Sequence, residues 1–387
     1  MGEAQRLARR AYGHTSPNPM VGAVLVKGGQ VIGRGWHRKA GLPHAEIEAL
    51  RDAGKRGHSP KGATLYVTLE PCCTHGRTPP CTEAIIAAGI QRVVVGAADP
   101  NPRHAGRAFR ILKRAGIEVV SGVLAEECAR LNEAFNHWIV HRTPFVIVKA
   151  AMTLDGKIAT ASGESQWITG EQARAHGMEL RQGSDAILVG INTVLADDPS
   201  LTLRNSKRPV PNSKSLRRIV LDSMARTPLT ARVVSDEHAA WTTIVVGKHA
   251  PAHRVARLAR KVRVIVASAT QSQIANRGSQ INLRWLLKLL GKENVTRLLV
   301  EGGGEVNASF LEQRLAHRIA FFYAPKILGG REARRAVAGN GASHWSEILP
   351  LEQIEWRKRG GDLLLTALVG RRGSARQARA ALSGKGC

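Results

Sequence analysis

The sequence predicts an α/β protein in which two domains follow one another along the chain. Its 387 residues suffice for two or three domains that each bury their own core. In the first half, short β-rich runs alternate with helical stretches, which is typical of a mixed sheet with helices on its faces. In the second half the β-rich runs are uniformly apolar, as in a largely parallel sheet that is buried on both faces.

The first domain is predicted to begin with a β-hairpin. Residues Val21–Val26 and Gln30–Trp36 are its strands, and Lys27-Gly28-Gly29 supplies the turn. Helices and strands then alternate: a helix at Ala45–Ala53, a strand at Ala63–Leu69, a helix at Thr82–Ala88, a strand at Arg92–Ala97, a helix at Ala105–Ala115, a strand at Glu118–Val123 and a helix at Ala125–Val140.

The segment His141-Arg142-Thr143-Pro144 breaks this alternation and is the predicted linker. The domains are therefore expected at residues 1–142 and 143–369, followed by a basic tail at 370–387 that we expect to be disordered. Apolar strands are predicted in the second domain at Phe145–Ala150, Ala186–Val189, Arg218–Leu221, Thr242–Val246, Val262–Val266 and Leu298–Glu301, with helices at Gly170–Arg181, Asn282–Leu290 and Val306–Arg314. Ile319–Pro325, Glu355–Arg359 and Asp362–Val369 are predicted to close the sheet as antiparallel strands, and residues 205–215 to form a loop.

The composition is that of a globular protein, with 43% hydrophobic residues. No apolar run approaches the roughly 18 residues of a membrane span, and the polar, basic start of the chain does not resemble a secretory signal. A cytoplasmic location and no membrane partner are therefore predicted. Three of the five cysteines cluster between residues 72 and 81, which argues against a disulfide framework and in favour of a metal site.

The formal net charge of +27 favours anionic partners. Nucleic acid, phosphorylated small molecules and acidic surfaces all fit this charge. Part of the excess lies in residues 204–226 and in the tail, and solvated loops or a compositional bias of the whole proteome are the favoured explanation for both segments. The charge therefore limits the choice of function only weakly.

A zinc deaminase site is predicted from four residues of the first domain. His44, Cys72 and Cys81 supply three N/S ligands for Zn²⁺, which leaves a fourth position for water. Glu46 follows His44 in the same helical turn, so it can face that water without binding the metal. As the catalytic residue it would take a proton from the water and pass it to the leaving ammonia.

Alternatives to this assignment remain open at this point. Eight residues separate Cys72 from Cys81, whereas the common deaminase signature has two, and Cys73 or His75 could replace one of the ligands. A closed, purely structural zinc site would need four protein ligands and would leave Glu46 without a role.

Taken together, several motifs of the first domain resemble the bifunctional riboflavin-biosynthesis pyrimidine deaminase/reductases, in which a long insert between the two cysteines is typical. These motifs are Thr15–Gly22, His44–Glu46, Glu70–Cys72, Gly76–Cys81 and Asp99–Pro102. The resemblance implies a cytidine-deaminase-like α/β/α domain in which Asn18, His37, Arg77 and Asn101 bind a phosphoribosylated pyrimidine. From the residues alone, Asn18 and Asn101 could instead serve turns, since both precede proline.

The motifs of the second domain extend this resemblance to about residues 5–369. They are Lys149, Thr153–Gly156, Ser162–Thr169, Gly190–Pro199 and Glu301–Gly304. The family has a dihydrofolate-reductase-like α/β fold here and uses NADPH. Residues 207–215 look like an insertion, and the tail matches nothing in the family. On its own, the glycine turn after the strand at Leu298–Glu301 could bind a phosphate or simply be a tight connection, and it is not a Gly-x-Gly-x-x-Gly motif.

The resemblance also assigns contacts in the second domain. NADPH would be contacted by Ala151, Trp167, Thr193, Asp197, Ser223 and the turn Gly303, Gly304, Glu305, Val306, Asn307, Ala308 and Ser309. Substrate would be contacted by Ser165, Arg181, Leu201, Arg204 and Glu301. Arg181 and Arg204 could clamp a phosphate and Glu301 could hold ribose hydroxyls. Core packing for Trp167 and a solvated helix face for Arg181 are the alternatives.

The resemblance implies an enzyme with two activities. It would hydrolytically deaminate 2,5-diamino-6-(5-phosphoribosylamino)pyrimidin-4(3H)-one with zinc, and then reduce the ribosyl side chain to ribityl with NADPH. A nucleic-acid or nucleotide deaminase with an accessory non-reductase domain is the alternative, and a non-catalytic binding protein is a second one. We expect a small phosphorylated pyrimidine rather than nucleic acid as the partner, and a homo-oligomer by family analogy.

Overall fold

A five-stranded sheet forms the centre of the N-terminal unit in the computed structural model, which describes residues 1–75, 79–102, 104–203, 216–267 and 281–370. This unit holds Met1–Pro144 together with Leu290–Thr296. Its elements are α1 (Gly2–Arg9), β1 (Gly22–Lys27), β2 (Gln30–Trp36), α2 (Ala45–Lys55), β3 (Thr64–Leu69), α3 (Cys81–Ala87), β4 (Arg92–Ala97), α4 (Arg107–Arg114), β5 (Glu118–Ser121), α5 (Ala125–Leu131) and α6 (Glu133–His141).

The sheet has the strand order β2-β1-β3-β4-β5. Strands β2, β1 and β3 pair antiparallel, whereas β3, β4 and β5 run parallel. Since parallel neighbours end at the same edge, the loops that follow β3 and β4 meet there. Apolar side chains of the inner strands, such as Leu65, Val67, Val93 and Val95, are fully buried and form the core with α2.

Two glycines bring helix α2 close to strand β2. A Cβ atom on Gly33 would collide with the carbonyl oxygen of Ala49, and one on Gly35 with that of Ala45. Only glycine therefore allows the start of α2 to lie so near the sheet. This part of the helix carries two of the predicted site residues, His44 and Glu46.

The single helix predicted at Ala125–Val140 is wrong, because the structure has two helices that meet at Asn132. The buried Asn132 side chain accepts a hydrogen bond from the Met20 amide (2.7 Å) and donates one to the Met20 carbonyl (2.9 Å). This peptide-like pairing ties the helix pair to a residue 112 positions earlier in the sequence.

The second unit holds the described residues of 145–289 and 297–370. Its elements are β6 (Phe145–Thr153), β7 (Lys157–Ala159), α7 (Glu171–Gln182), β8 (Ala186–Gly190), α8 (Ile191–Asp197), β9 (Arg217–Leu221), α9 (Arg232–Ser235), β10 (Thr242–Val246), α10 (Ala252–Ala259), β11 (Arg263–Val266), α11 (Leu283–Lys292), β12 (Arg297–Val300), α12 (Gly304–Glu312), β13 (Arg318–Ala324), β14 (Arg334–Arg335), β15 (Leu351–Arg359) and β16 (Asp362–Val369). The last residues of α11 are counted with the first unit.

A nine-stranded sheet with the order β11-β10-β9-β8-β12-β6-β13-β16-β15 spans this unit. The strands from β11 to β13 are parallel, and β16 and β15 continue the sheet antiparallel. The prediction of a largely parallel sheet is thereby confirmed, and so is the antiparallel pair at the end of the chain. Strand β13 was predicted to be antiparallel, but it runs parallel to β6 and is antiparallel only to β16.

Among the described residues, no helix has both the length and the apolar character that crossing a bilayer requires. The predicted basic tail lies outside the described residues except for Gly370, and residues 205–215, predicted to be a loop, lie outside them entirely.

Candidate active sites

Three predicted metal ligands converge at one edge of the five-stranded sheet. His44 precedes α2 as its N-cap residue, Cys81 is the first residue of α3, and Cys72 lies in the loop after β3. The His44 Nδ1 atom is 3.2 Å from the Cys81 sulfur and 3.4 Å from the Cys72 sulfur. Ligand atoms of all three lie within 4.8 Å of one another.

The two rival ligands lie outside this group. The Cys73 sulfur is 3.9 Å from the His104 Nδ1 atom, and the exposed His75 ring lies beside Glu83. Cys73 and His75 are therefore not part of the converging set of donors.

Hydrogen bonds favour the thiolate form of Cys72. Contacts with the Cys81 side chain and with His44, together with the Cys81 backbone N–H at 3.2 Å, hold the pKa of the Cys72 thiol well below its ordinary value, although burial opposes them. A thiolate is the form that binds metals. One imidazole and two sulfur donors at these separations suit Zn²⁺ with one position left open.

Glu46 lies directly beside this donor group and is 3% exposed. Burial, followed by the negative charge of Cys72, raises the pKa of the Glu46 carboxyl to about 7. The carboxyl also has a hydrogen bond with the Cys81 side chain. The site therefore combines three ligands with one protonatable group in the first turn of α2.

His37 and Asn18 form a pair next to His44. The His37 ring meets the His44 ring edge-on, with 5.2 Å between the ring centres. Since the Pro43 carbonyl (3.1 Å) can only accept, His37 Nδ1 is the donor there. Burial lowers the pKa of His37, so its ring is neutral and Nε2 accepts from the Asn18 amide at 3.2 Å. The structure therefore brings two of the four predicted pyrimidine-binding residues to the metal ligands.

Asn101 lies in the loop after β4, at the same sheet edge as the Cys72 loop. Its backbone N–H donates to the Asp99 carboxylate at 2.8 Å. Arg77, the remaining predicted pyrimidine-binding residue, lies outside the described residues.

Glu70 organises that loop, a role that could not be predicted from its place in the Glu70–Cys72 motif. Its buried carboxylate accepts hydrogen bonds from the backbone N–H groups of Asp99 (3.1 Å), Gly106 (3.0 Å) and Ala108 (3.0 Å). Three charge-assisted bonds to one carboxylate fix the loop that carries Asn101 against the end of β3.

A second cluster of charged residues lies in the other unit, at the end of β12. Arg181 donates from Nε to Glu301 at 2.9 Å and from a terminal nitrogen at 3.0 Å, and Lys149 lies 3.4 Å from the same carboxylate. Arg181 also donates to the Thr202 carbonyl at 3.1 Å. Both side chains of the Arg181–Glu301 pair are nearly buried, so the solvated helix face considered for Arg181 is excluded.

This pairing changes the interpretation of Arg181. Three of its five N–H donors bind Glu301 and Thr202, so it orients Glu301 and is not a free phosphate clamp. Leu201 lies next to Thr202, with its side chain buried and φ at 51°. Arg204, the second predicted clamp, lies outside the described residues.

A cavity of about 550 Å³ opens along the carboxyl ends of β8, β9 and β12. Residues from these strand ends, the turn at 302–304, the start of α12 and the β14 segment form its wall. Of the predicted residues, Ser165, Thr193, Asp197, Ser223, Gly303, Gly304, Glu305, Val306 and Ser309 line it. Ser165 was predicted to contact substrate, yet it faces this cavity and donates to Asp197 at 3.3 Å.

Four predicted cofactor residues do not line the cavity: Ala151, Trp167, Asn307 and Ala308. Asn307 and Ala308 are buried, and Asn307 donates to the Ala336 carbonyl at 2.8 Å. Trp167 is 63% exposed with the Arg174 guanidinium 4.7 Å from its ring centre, so the core-packing alternative is wrong.

The turn Gly302-Gly303-Gly304 requires glycine, for lack of space at Gly302 and Gly304 and for backbone conformation at Gly303. A Cβ atom on Gly302 would collide with Val306, and one on Gly304 with the Arg335 carbonyl, while Gly303 has φ at 63°. The backbone is thus open to the cavity where α12 begins, which is the arrangement that binds phosphates at a helix N-terminus. Three arginines that the sequence analysis did not assign to a site also line the cavity: Arg226, Arg334 and Arg335. The turn and these positive charges suit a dinucleotide with several phosphates.

Comparisons with known proteins match both halves of the chain. A model of the cytidine and deoxycytidylate deaminase zinc-binding region matches residues 1–97, and a model of the RibD C-terminal domain matches residues 144–365. The riboflavin biosynthesis protein RibD of Actinobacillus pleuropneumoniae is 42% identical over 370 residues, covering 95% of this chain and 94% of the relative.

Solved structures match along almost the whole chain. RibD of Acinetobacter baumannii has a TM-score of 0.83 at 36% identity and covers 96% of this chain and 98% of its own. A diaminohydroxyphosphoribosylaminopyrimidine deaminase/5-amino-6-(5-phosphoribosylamino)uracil reductase of Thermotoga maritima has a TM-score of 0.78 at 35% identity, covering 96% and 97%. These matches confirm the predicted fold class, with a cytidine-deaminase-like domain before a dihydrofolate-reductase-like one.

Proposed function

The chain belongs to the RibD family of riboflavin biosynthesis proteins, and on that premise we propose how its residues divide two reactions between them. It is a bifunctional enzyme with a zinc-dependent deaminase and an NADPH-dependent reductase activity. We assign the deaminase to residues 1–142 and the reductase to residues 143–369. The convergence of His44, Cys72 and Cys81 around the buried Glu46 is the observation that carries the assignment.

In the deaminase site, His44, Cys72 and Cys81 would hold Zn²⁺. When bound, the ion lowers the pKa of water and so supplies the nucleophile for attack at C2 of the diaminopyrimidine. Glu46 takes up a proton and delivers it to the exocyclic nitrogen at C2, which leaves as ammonia. Asn18 and His37 position the pyrimidine, since His37 lies beside His44 and Asn18 is hydrogen-bonded to His37, and Asn101 approaches from the loop that Glu70 fixes.

In the reductase site, the 550 Å³ cavity would hold NADPH, with its phosphates at the turn Gly302-Gly303-Gly304. When bound, the nicotinamide supplies the hydride, so the protein needs only to position the two reactants. Glu301, oriented by Arg181 and Lys149, is placed to accept hydrogen bonds from the ribosyl hydroxyls of the aminouracil product of the first reaction. Reduction of that ribosyl group gives the ribityl side chain.

A coupled assay tests both assignments. Purified protein loaded with zinc should release ammonia from the diaminopyrimidine phosphate and should then oxidise NADPH. Glu46→Gln should abolish ammonia release and keep its zinc, whereas Glu48→Gln, a more exposed carboxylate of the same helix, should keep both. Ammonia release without NADPH oxidation would contradict the assigned reductase half. Loss of zinc from the Glu46 variant would contradict the role of Glu46 as a residue that does not bind the metal.

The nucleic-acid deaminase considered from the sequence predicts different behaviour. Such a protein would bind RNA or DNA with an affinity that falls steeply as salt concentration rises, and it would not consume NADPH. We also propose that the protein works in the cytoplasm as a homo-oligomer on a small phosphorylated substrate. Its mass in solution, measured by light scattering, tests the oligomer directly.

A further inference from the structure

In the second site, the glycine turn that would hold the NADPH phosphates and the Glu301–Lys149 pair that would face the substrate lie at different places along the same sheet edge. The turn Gly302-Gly303-Gly304 follows β12, and Glu301 precedes it directly. Glu301 contacts Lys149, which belongs to β6, the neighbour of β12 on one side. Strands β8 and then β9 lie on the other side of β12. This inference rests on the proposed reductase function, because it takes the cavity as the NADPH site.

These positions set the direction of a bound dinucleotide. With the pyrophosphate at the glycine turn and the nicotinamide on the β6 side, the adenosine would extend across the end of β8 toward β9. In open α/β sheets ligands bind in this way, in the crevice outside the carboxyl ends of the strands. The cavity wall on the β9 side is made by Leu221, Ser223 and Arg226.

Arg226 stands on a turn that is held firmly in place. The buried Asp222, directly after β9, accepts hydrogen bonds at 2.7 Å from both the backbone N–H and the hydroxyl of Thr227. The Ala225 N–H donates to the Asp222 carbonyl at 3.1 Å, and the Gly247 N–H to that of Ser223 at 3.0 Å. The turn that carries Ser223 and Arg226 is therefore organised before any ligand binds.

The guanidinium of Arg226 keeps its charge available. It donates to the neutral amide of Asn192 at 2.9 Å, and its contacts in the described parts of the chain include no ion pair with a carboxylate. Arg226 is exposed to the cavity, so it has further N–H donors for an incoming anion. Arg181, by contrast, is neutralised by Glu301.

We propose that Arg226 recognises the 2′-phosphate on the adenosine ribose and so makes the reductase select NADPH over NADH. An arginine beside the adenosine ribose is the usual means of accepting this phosphate, because its planar fork matches the phosphate oxygens. Ser223, on the same turn, adds a hydroxyl at the same end of the cavity. Arg334 and Arg335 line the wall beside Gly163 and Gly304, nearer the pyrophosphate position, and serve both cofactors alike.

Calorimetric titration of the full-length protein with 2′,5′-ADP and with 5′-AMP isolates this contact, since the two probes differ only in the 2′-phosphate. Wild-type protein should prefer 2′,5′-ADP. Arg226→Gln should weaken 2′,5′-ADP binding by about 10- to 100-fold, the size expected for charge-assisted hydrogen bonds, and leave 5′-AMP binding within about twofold. Arg226→Lys should retain part of the preference, because lysine keeps the charge without the fork.

Arg334→Gln serves as the matched control, since it removes the same charge from another wall of the cavity. It should leave the ratio of the two affinities unchanged. A preference for 2′,5′-ADP over 5′-AMP that persists in Arg226→Gln would overturn the proposal, and so would a preference that is lost in Arg334→Gln instead. Either result would leave the reductase function intact. Wild-type protein that binds neither NADPH nor 2′,5′-ADP would overturn the reductase function itself.

Discussion

Arg181 and Glu301, which are 120 residues apart in the sequence, form a two-point ion pair with donor–acceptor distances of 2.9 and 3.0 Å. The pair joins the last turn of α7 to the end of β12, and Lys149 adds a second positive charge from β6. Two cations around one carboxylate keep it ionised and fix the direction of its lone pairs. In the proposed reductase site, Glu301 is therefore a rigid acceptor that directly precedes the glycine turn of the cavity wall.

The loss of stability at acid pH should depend on Glu301. Burial alone would raise the pKa of its carboxyl, but the charges of Arg181 and Lys149 outweigh burial and lower the pKa to about 2, against 4.5 in the unfolded chain. A lowered folded-state pKa means that the stabilisation is complete above about pH 4.5 and is lost as pH falls toward 2. Glu301→Gln should be less stable than wild type by about 3–5 kcal/mol near neutral pH, because two cations lose their partner.

Urea unfolding at several pH values checks this prediction. The difference in the free energy of unfolding between wild type and Glu301→Gln should shrink as the pH is lowered through this window. A difference that is constant from neutral pH to the acid limit would show that the carboxylate is not held ionised by its neighbours.

Removing one zinc ligand should separate the two activities. Cys81→Ala should lose its zinc, measured by mass spectrometry of the metal content, because two remaining ligands hold the ion poorly. Ammonia release should disappear with the metal, while NADPH oxidation with supplied aminouracil phosphate should persist. Cys73→Ala is the control, since its sulfur lies outside the ligand group, and it should retain the metal. Equal zinc loss in both variants would contradict the ligand assignment.

The glycine turn should not tolerate a methyl group at Gly304. Its Cβ would collide with the Arg335 carbonyl, so Gly304→Ala must displace the β14 segment or the start of α12. We expect a loss of about 1–3 kcal/mol in the free energy of unfolding, as for other overpacked positions, together with weaker NADPH binding by fluorescence titration. Gly361→Ala has open space around its Cβ and should change neither quantity.

Asn132 should be needed for the stability of the deaminase unit. Asn132→Leu leaves the Met20 amide and carbonyl without their side-chain partner, which should cost about 1–3 kcal/mol in the free energy of unfolding. Asn340→Leu, the same substitution at an exposed position, should have little effect. Comparable melting temperatures for the two variants would show that the pairing with Met20 contributes nothing.

The strands were largely predictable from the sequence, because their signal is local. Runs such as Arg92–Ala97 and Thr242–Val246 appear in the structure with the predicted bounds. Helices α8, α9 and α10 were missed: each is no longer than eight residues, too short for a clear helical period. The direction of β13 relative to β6 and the break at Asn132 depend on partners far away in the sequence, which periodicity does not encode.

The two sites also differ in how far the sequence could predict them. The zinc ligands and Glu46 stand in short motifs, so their residue types predicted a zinc site, and the family resemblance accounted for the long spacing between Cys72 and Cys81. The roles of Glu70, Arg181 and Arg226 depend on which backbone or side chain lies opposite them. Arg226 in particular belongs to a basic stretch of sequence for which solvated loops were the favoured explanation, and its place in the cavity wall is visible only in the structure.

The N-terminal unit includes Leu290–Thr296, and this has a consequence for how the protein is made. The Trp138 indole donates to the Gly291 carbonyl at 2.8 Å, and the Ser16 hydroxyl lies 3.3 Å from that of Thr296. During translation these contacts cannot form until residue 296 has left the ribosome. The deaminase unit is therefore completed only after most of the reductase sequence has been synthesised, and a gene fragment that stops at Pro144 encodes it without one of its own packing segments.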